Sequence, residues 1–430
     1  MNIRIKGGQK LNGEIDPSGS KNSAVAIIPA TLLFDEPVEI QNVPDITDVT
    51  KMVTILEKLG SIINWDKENS SLLIDNRHLS FEKVDKDDWS AMRGTSLLWG
   101  PMLARFGKVD FSGLPGGCTL GYRTLLPHYQ AFEDLGVKVN LSSSGIVMDA
   151  GKAHSNSFWL TEMSPTATEN AVSLAVTLKG KTEIVGAASE PQVQDFCNFL
   201  NSAGSDIQGI GSNLLTINGN HSLSKTKYRL LSDHYEIATF LALSVVTKGV
   251  ISVHNAEPDL FRHINYIFSK FGLRVHYNKN TAYIPDSEKV KIIPDGEGRD
   301  FLTVKAQPWP SLPVDLLPIF IPIALSADRG VTLFHNWMYD SGLFWTSELT
   351  KLGANIIMCD QHRIITVAGS HLHGDTLEAP YIIRAVVAMV MACMMADGES
   401  IILNADSLYR GHPHFSDNLK KLGANIEEIS

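Results

Sequence analysis

Three cations stand where helix physics disfavours them. Lys21 ("SGSKNSAVAII"), Arg93 ("AMRGTSLLWGPML") and Arg384 ("YIIRAVVAMVMA") open three strongly apolar runs of this 430-residue chain. The dipole at a helix N-terminus penalises a cation by about 0.3–1 kcal/mol, so stability alone does not account for them. An anion held at the same place reverses the sign, because backbone amides and cationic side chains then share one target. Asp233 with Glu236 ("LSDHYEIATFLAL") and Asp315 ("LPVDLLPIFIPIA") begin two further apolar runs. A sixth run starts at "SPTATENAVSLAV". The second chemical feature is the loop "GLPGGCTLGYRTLLPH", where glycines surround Cys118 and Arg123 follows five residues later. A thiol beside a cation can act as a nucleophile or proton donor. Cys197 and Cys393, inside apolar helical patterns, read instead as small buried hydrophobes. The stretch "PSGSKNSA" narrowly misses a phosphate loop, since Ser20 separates Gly19 from Lys21; a triphosphate is not its expected ligand.

These residues are positioned by a repeat. The phrase "EKLGSII" at Glu57 returns as "EDLGVKV", "NSAGSDI", "SKFGLRV", "TKLGANI" and "KKLGANI", at a spacing of roughly 70 residues. In each copy an amphipathic helix ends, a glycine takes a left-handed cap (Gly60, Gly136, Gly204, Gly272, Gly353, Gly423), and a strand follows. Upstream lies a helix that is apolar all round and must be surrounded by protein, followed by a strand such as "GVISV" or "ESIIL". Six such units predict two clusters of three buried helices, wrapped by sheets and outer helices. If the repeat is symmetric in space, the six helix starts converge on one region between two domains. A TIM barrel, which keeps its helices outside, is excluded.

Composition sets the limits. The chain is 44% hydrophobic and 20% charged, with a formal net charge of −10, so broad attraction to nucleic acid or an anionic membrane is not expected. An anionic ligand must be held by a local group of cations. The apolar runs are too short to span a bilayer. "MNIRIKGGQKLNGEI" lacks the apolar core of a signal peptide, and the four cysteines form no CxxC pairs. A reduced, cytoplasmic protein without disulfides, metal or cofactor is expected. Trp337 and Trp345 read as packing aromatics.

The segments "SGSKNSA", "EPVEIQNVPDITD", "MRGTSLLWGPMLARFG", "LPGGCTLGYR", "TATEN", "LSDHYEIATF", "LPVDL", "IIRA" and "LYRG", in this order, resemble the enolpyruvyl transferase family along the whole chain. The resemblance implies an α/β (α+β) fold of the inside-out α/β barrel type, in two domains of three folding units each. One domain would span residues 21–229 and the other residues 1–20 with 230–430. It also implies a reaction: the enolpyruvyl group of phosphoenolpyruvate passes to a hydroxyl of a nucleotide-sugar acceptor, UDP-N-acetylglucosamine, and phosphate is released, as in peptidoglycan precursor synthesis.

Matched motif by motif, the resemblance makes Cys118 the acid for C3 of phosphoenolpyruvate and the site alkylated by fosfomycin. Asp315 becomes the base for the acceptor. Lys21, Arg123 and Arg410 hold phosphoenolpyruvate, Asn22, Arg93 and Ser164 position the substrates, Arg384 adds positive charge, and Asp233 lines the substrate site. Departures from the family pattern fall at Glu162, Ile382 and the 335–349 loop. A transferase acting on a different nucleotide or sugar acceptor, and a ligand-binding homologue without turnover, therefore stay open at this level.

Overall fold

In the computed structural model, residues 1–80, 85–111, 115–116, 124–142, 145–220 and 222–429 are described. Cys118 and Arg123 lie outside these residues. The apolar runs form six core helices, numbered here without the surface helices: α1 Lys21–Ala30, α2 Trp99–Phe106, α3 Pro165–Ala175, α4 His234–Val246, α5 Leu317–Leu325 and α6 Ile383–Met395. All nine residues of α5 are buried, as is every residue of α6 from Arg384 to Met394. Such helices have no solvent face because they carry no polar stripe to put there. In α5, Phe320 sits edge-on to Phe268 and stacked on Phe271, with ring centroids 5.1 and 5.9 Å away.

The chain divides into two compact units. The described residues of 1–18 and 232–429 form one, in which α4, α5 and α6 pack on one another. Described residues between Gly19 and Leu231 form the other, which holds α1, α2 and α3. Each unit has its own continuous apolar core.

One sheet plan recurs. Leu302–Lys305 runs parallel to Val331–His335; that strand pairs antiparallel with Arg363–Val367, which pairs antiparallel with Ile356–Asp360. The same order, one parallel pair and then two antiparallel ones, holds in four other sheets; the sheet of Lys108–Phe111, Gly145–Asp149 and Lys138–Ser142 has three strands among the described residues. Alternate residues such as Thr332 and Phe334 point into the core, as a half-buried strand requires. Two sheets are completed from far along the chain: Asn2–Lys6 lies between Glu399–Leu403 and Asn425–Ile429, and Asn12–Ile15 pairs with Val250–Val253.

The six cap glycines all have positive φ, between 71° and 107°. At Gly136 the close approach is as restrictive as the angle, since an added Cβ would stand 2.5 Å from His154 Nδ1 and 2.6 Å from the Lys152 carbonyl. Among the other predicted packing residues, Cys197, Cys393 and Trp345 are buried. Trp337 is 48% exposed, so that ring does not serve the core, although its Nε1 donates to the Ala306 carbonyl.

Candidate active site

Of the predicted site residues that are described, Lys21, Asn22, Ser164, Asp233 and Arg384 lie at the starts of core helices, Arg93 and Asp315 in 3₁₀ turns leading into two others, and Arg410 at the end of a further 3₁₀ turn. In the unit containing α1, Ser20 caps that helix by accepting from Ser23 N, and Lys21 is the first helical residue, with the half-buried Asn22 after it. Lys21 Nζ lies 2.8 Å from Asp48 Oδ2, and the Asp48 side chain is 6% exposed. This corrects the expectation that only a bound anion makes Lys21 tolerable. A buried carboxylate from helix Thr47–Lys58 already offsets both the dipole and the desolvation of the ammonium.

Arg93 opens the 3₁₀ segment Arg93–Leu98 and donates from Nη2 to the Thr124 carbonyl at 2.9 Å. Ser164 is the N-cap of α3, accepting from Ala167 N at 3.4 Å, and lies 3.5 Å from Thr166 Oγ1. Beside it is a histidine that the sequence reading passed over. His128 Nδ1 is 3.0 Å from Asn170 Nδ2, and its Nε2 is 3.1 Å from Thr166 Oγ1. An amide nitrogen only donates, so Nδ1 accepts and the ring proton sits on Nε2, facing Thr166. Burial, with help from Arg93, pushes the His128 pKa down to about 3. Glu169, one turn into α3, is also fully buried, and burial with the nearby Glu190 raises its carboxyl well above the usual range. Neither group has a sequence signature, because their partners lie in other segments.

In the other unit Asp233 caps α4. Its Oδ1 accepts from Tyr235 N at 2.8 Å and Glu236 N at 3.0 Å. Burial pushes this carboxyl up, but Arg384, His234, His412 and the Glu236 amide together hold it below the ordinary aspartate value. Glu236 is committed through Oε2 to the backbone N, at 2.8 Å, and the hydroxyl of Ser18. Arg384, the second residue of α6, is 4.8 Å from the Tyr235 ring centroid, and its Nη2 is 3.9 Å from Asp233 Oδ1. Its Nη1 donates to Nε2 of His412, a fully buried residue absent from the sequence-derived set. Burial drives His234 down to about 4, against the pull of Asp233, and lowers His412 as well. The 3₁₀ turn Val314–Leu316, which carries the half-buried Asp315, packs against α4; the turn Ala405–Arg410 packs against α6 and leaves the Arg410 guanidinium 4.7 Å from the Tyr381 ring centroid.

Cations, carboxylates and a cap hydroxyl thus recur at or just before the starts of the buried helices; among the described residues no group of three or more acidic, histidine or cysteine side chains could hold a metal ion. Comparison with known proteins gives the class. Residues 5–419 match the EPSP synthase (3-phosphoshikimate 1-carboxyvinyltransferase) family, and the chain belongs to it. Relatives named UDP-N-acetylglucosamine 1-carboxyvinyltransferase include those of Borreliella burgdorferi, 36% identical over 99% of this chain and 98% of that protein, and of Treponema denticola, 37% identical over 98% of each. Among solved structures, the enolpyruvyl transferase NikO from Streptomyces tendae superposes with a TM-score of 0.84 at 20% identity, covering 99% of this chain and 98% of the other. EPSP synthase from Acinetobacter baumannii gives a TM-score of 0.75 at 15% identity, covering 99% of this chain and 100% of the other. These two neighbours share the fold. Among the described residues no helix is long and apolar enough to cross a membrane.

Proposed function

We propose that this chain transfers the enolpyruvyl group of phosphoenolpyruvate to a hydroxyl of UDP-N-acetylglucosamine and releases phosphate, a cytoplasmic step in peptidoglycan precursor synthesis. The observation that carries the reading is end-to-end identity of about 36% with relatives bearing that activity's name. The acceptor oxygen attacks C2 while C3 is protonated, giving a tetrahedral ketal, and loss of phosphate then leaves the enolpyruvyl ether. Such chemistry needs an acid for carbon, a base for a hydroxyl, and fixed positive charge on phosphate and carboxylate.

In this reading Cys118 supplies the proton to C3 and Asp315 removes the acceptor's. Lys21, Arg123 and Arg410 bind phosphoenolpyruvate. Asn22, Arg93 and Ser164 position the substrates, Arg384 supplies further charge, and Asp233 contacts the substrate. The recurrent sheet plan and the all-buried helices support an inside-out α/β barrel in each of two domains, residues 21–229 and residues 1–20 with 230–430. The Glu162 side chain is exposed, so its charge is met by solvent.

The test is phosphate release from phosphoenolpyruvate with UDP-N-acetylglucosamine and with a panel of other hydroxyl acceptors. Release with the first is expected. Release with another acceptor only would sink the assignment, as would tight ligand binding without release.

A further inference from the structure

Arg384 is held in an unusual way for a buried arginine. Two carboxylates stand in its neighbourhood: Asp233 forms a buried ion pair with it, and neither has a hydrogen bond from it among those of the described residues. Asp233 Oδ1 takes two amides of its own helix and stays 3.9 Å from Nη2, and Glu236 Oε2 is taken by Ser18. The group that does accept from Arg384 is the imidazole of His412. A guanidinium only donates, so His412 Nε2 carries no proton and Nδ1 does. That Nδ1 has no hydrogen-bond partner among the described residues; it faces Glu236 Oε1, 3.9 Å away and also without one. The charged groups acting on His412 are Arg384 on α6 and Glu236 and Asp233 on α4, with Arg410 two residues earlier on its own segment. Phe415 closes the apolar side, its ring centroid 5.2 Å away.

A carboxylate in the place of His412 would orient the arginine equally well, but it would cancel the charge that an anionic substrate must feel. We propose that His412 is a positioning residue for Arg384: its neutral imidazole fixes the guanidinium by accepting from Nη1 and adds no negative charge to that of Asp233, so that positive charge remains for the substrate anion. The inference rests on the reading of Arg384 as a substrate-charge group. It adds a residue and a reason for its type.

Three variants of the full-length protein test it, with kcat and KM for phosphoenolpyruvate measured across pH. H412F removes the acceptor and lowers kcat/KM by about 10- to 100-fold, the scale of a misplaced charged group. H412Q keeps a neutral acceptor and stays within about threefold of wild type. H412E folds and holds the arginine but raises KM by about tenfold or more, because a second, closer carboxylate now pairs with the charge. Wild type also loses activity on the acid side, below the ordinary histidine value of 6.5, as His412 takes a second proton and can no longer accept. H412Q lacks that inflection.

A kcat/KM for H412F within about twofold of wild type overturns the proposal, as does an H412Q as impaired as H412F at equal thermal stability. If H412F does not fold, H412Q against H412E decides, and equal KM values overturn it. Wild type that binds phosphoenolpyruvate without turning it over refutes the transfer reaction alone. The same variant ranking in affinity, read by calorimetry, then judges His412. Wild type that does not bind it refutes both.

Discussion

The starts of α1 and α6 pose one problem and solve it differently. Each places a cation in the first turn of a fully packed helix, against the dipole. At α1 the Lys21 ammonium meets a buried carboxylate at 2.8 Å, whereas at α6 the Arg384 guanidinium donates to a neutral ring and has its carboxylate, Asp233, at 3.9 Å. An ammonium is a compact point charge whose desolvation is best relieved by an opposite charge. A guanidinium is planar and weakly hydrated, so a neutral acceptor that fixes its plane is enough. Lys21 is therefore anchored through its charge and Arg384 through its geometry. An anion arriving at Lys21 must compete with a carboxylate already at 2.8 Å, whereas at Arg384 the nearest carboxylate oxygen of the ion pair stands at 3.9 Å.

The difference can be broken experimentally. D48A leaves Lys21 in a low-dielectric site without its counter-charge, and should lower the unfolding free energy by about 3 kcal/mol in urea titration. If the loss matched that of an exposed ion pair, the anchoring picture of α1 would be wrong. H412F, by contrast, leaves one guanidinium donor without its acceptor, should cost about 1–3 kcal/mol, and should reduce turnover by about 10- to 100-fold.

Acid should strike both units through their buried imidazoles. His128 and His234 are held near 3 and 4, below the unfolded value of 6.5. Above 6.5 both states are neutral; as pH falls from there toward the folded values, the unfolded chain binds protons that the folded chain refuses. Each group then erodes stability by up to about 1.4 kcal/mol per pH unit. H128Q should remove one proton's worth of that slope in denaturation curves between pH 6.5 and 4. An unchanged slope would show that His128 titrates normally.

Glu169 runs the other way. Its folded pKa is raised above the unfolded 4.5, so stability falls as pH rises past that value. E169Q should therefore raise the melting temperature at neutral pH and have less effect at pH 4; a lower melting temperature at neutral pH would mean that the carboxylate is used. Smallest is G136A, which forces a side chain into a left-handed turn against His154 and should cost about 1–2 kcal/mol in the same titration.

What the sequence made legible follows from locality. The core helices announce themselves as runs with no polar stripe, and the six left-handed caps as a glycine between helix and strand. Both signals lie within a dozen residues. Lys21, Arg93 and Arg384 could be singled out because a cation at a helix start breaks a local rule. Asp48 could not, since an acidic residue in the first turn of an amphipathic helix obeys the same rule and draws no notice. His128 and His412 find their partners 42 and 28 residues away. A histidine whose tautomer is set by a distant amide or guanidinium carries no pattern of its own, and a buried glutamate such as Glu169 reads from the sequence as an ordinary polar residue of a helix.

The position of strand Asn2–Lys6, between Glu399–Leu403 and Asn425–Ile429, also governs the order of assembly. During synthesis this segment has no strand neighbours until Glu399–Leu403 and Asn425–Ile429 have been made, and Ile3 and Ile5, both wholly buried in the fold, wait in the open meanwhile. The strands between Val38 and Arg229, by contrast, have their pairing partners within that stretch. That stretch can therefore pair its strands while later residues are still being made, whereas Asn2–Lys6 pairs only once residues from 399 on exist.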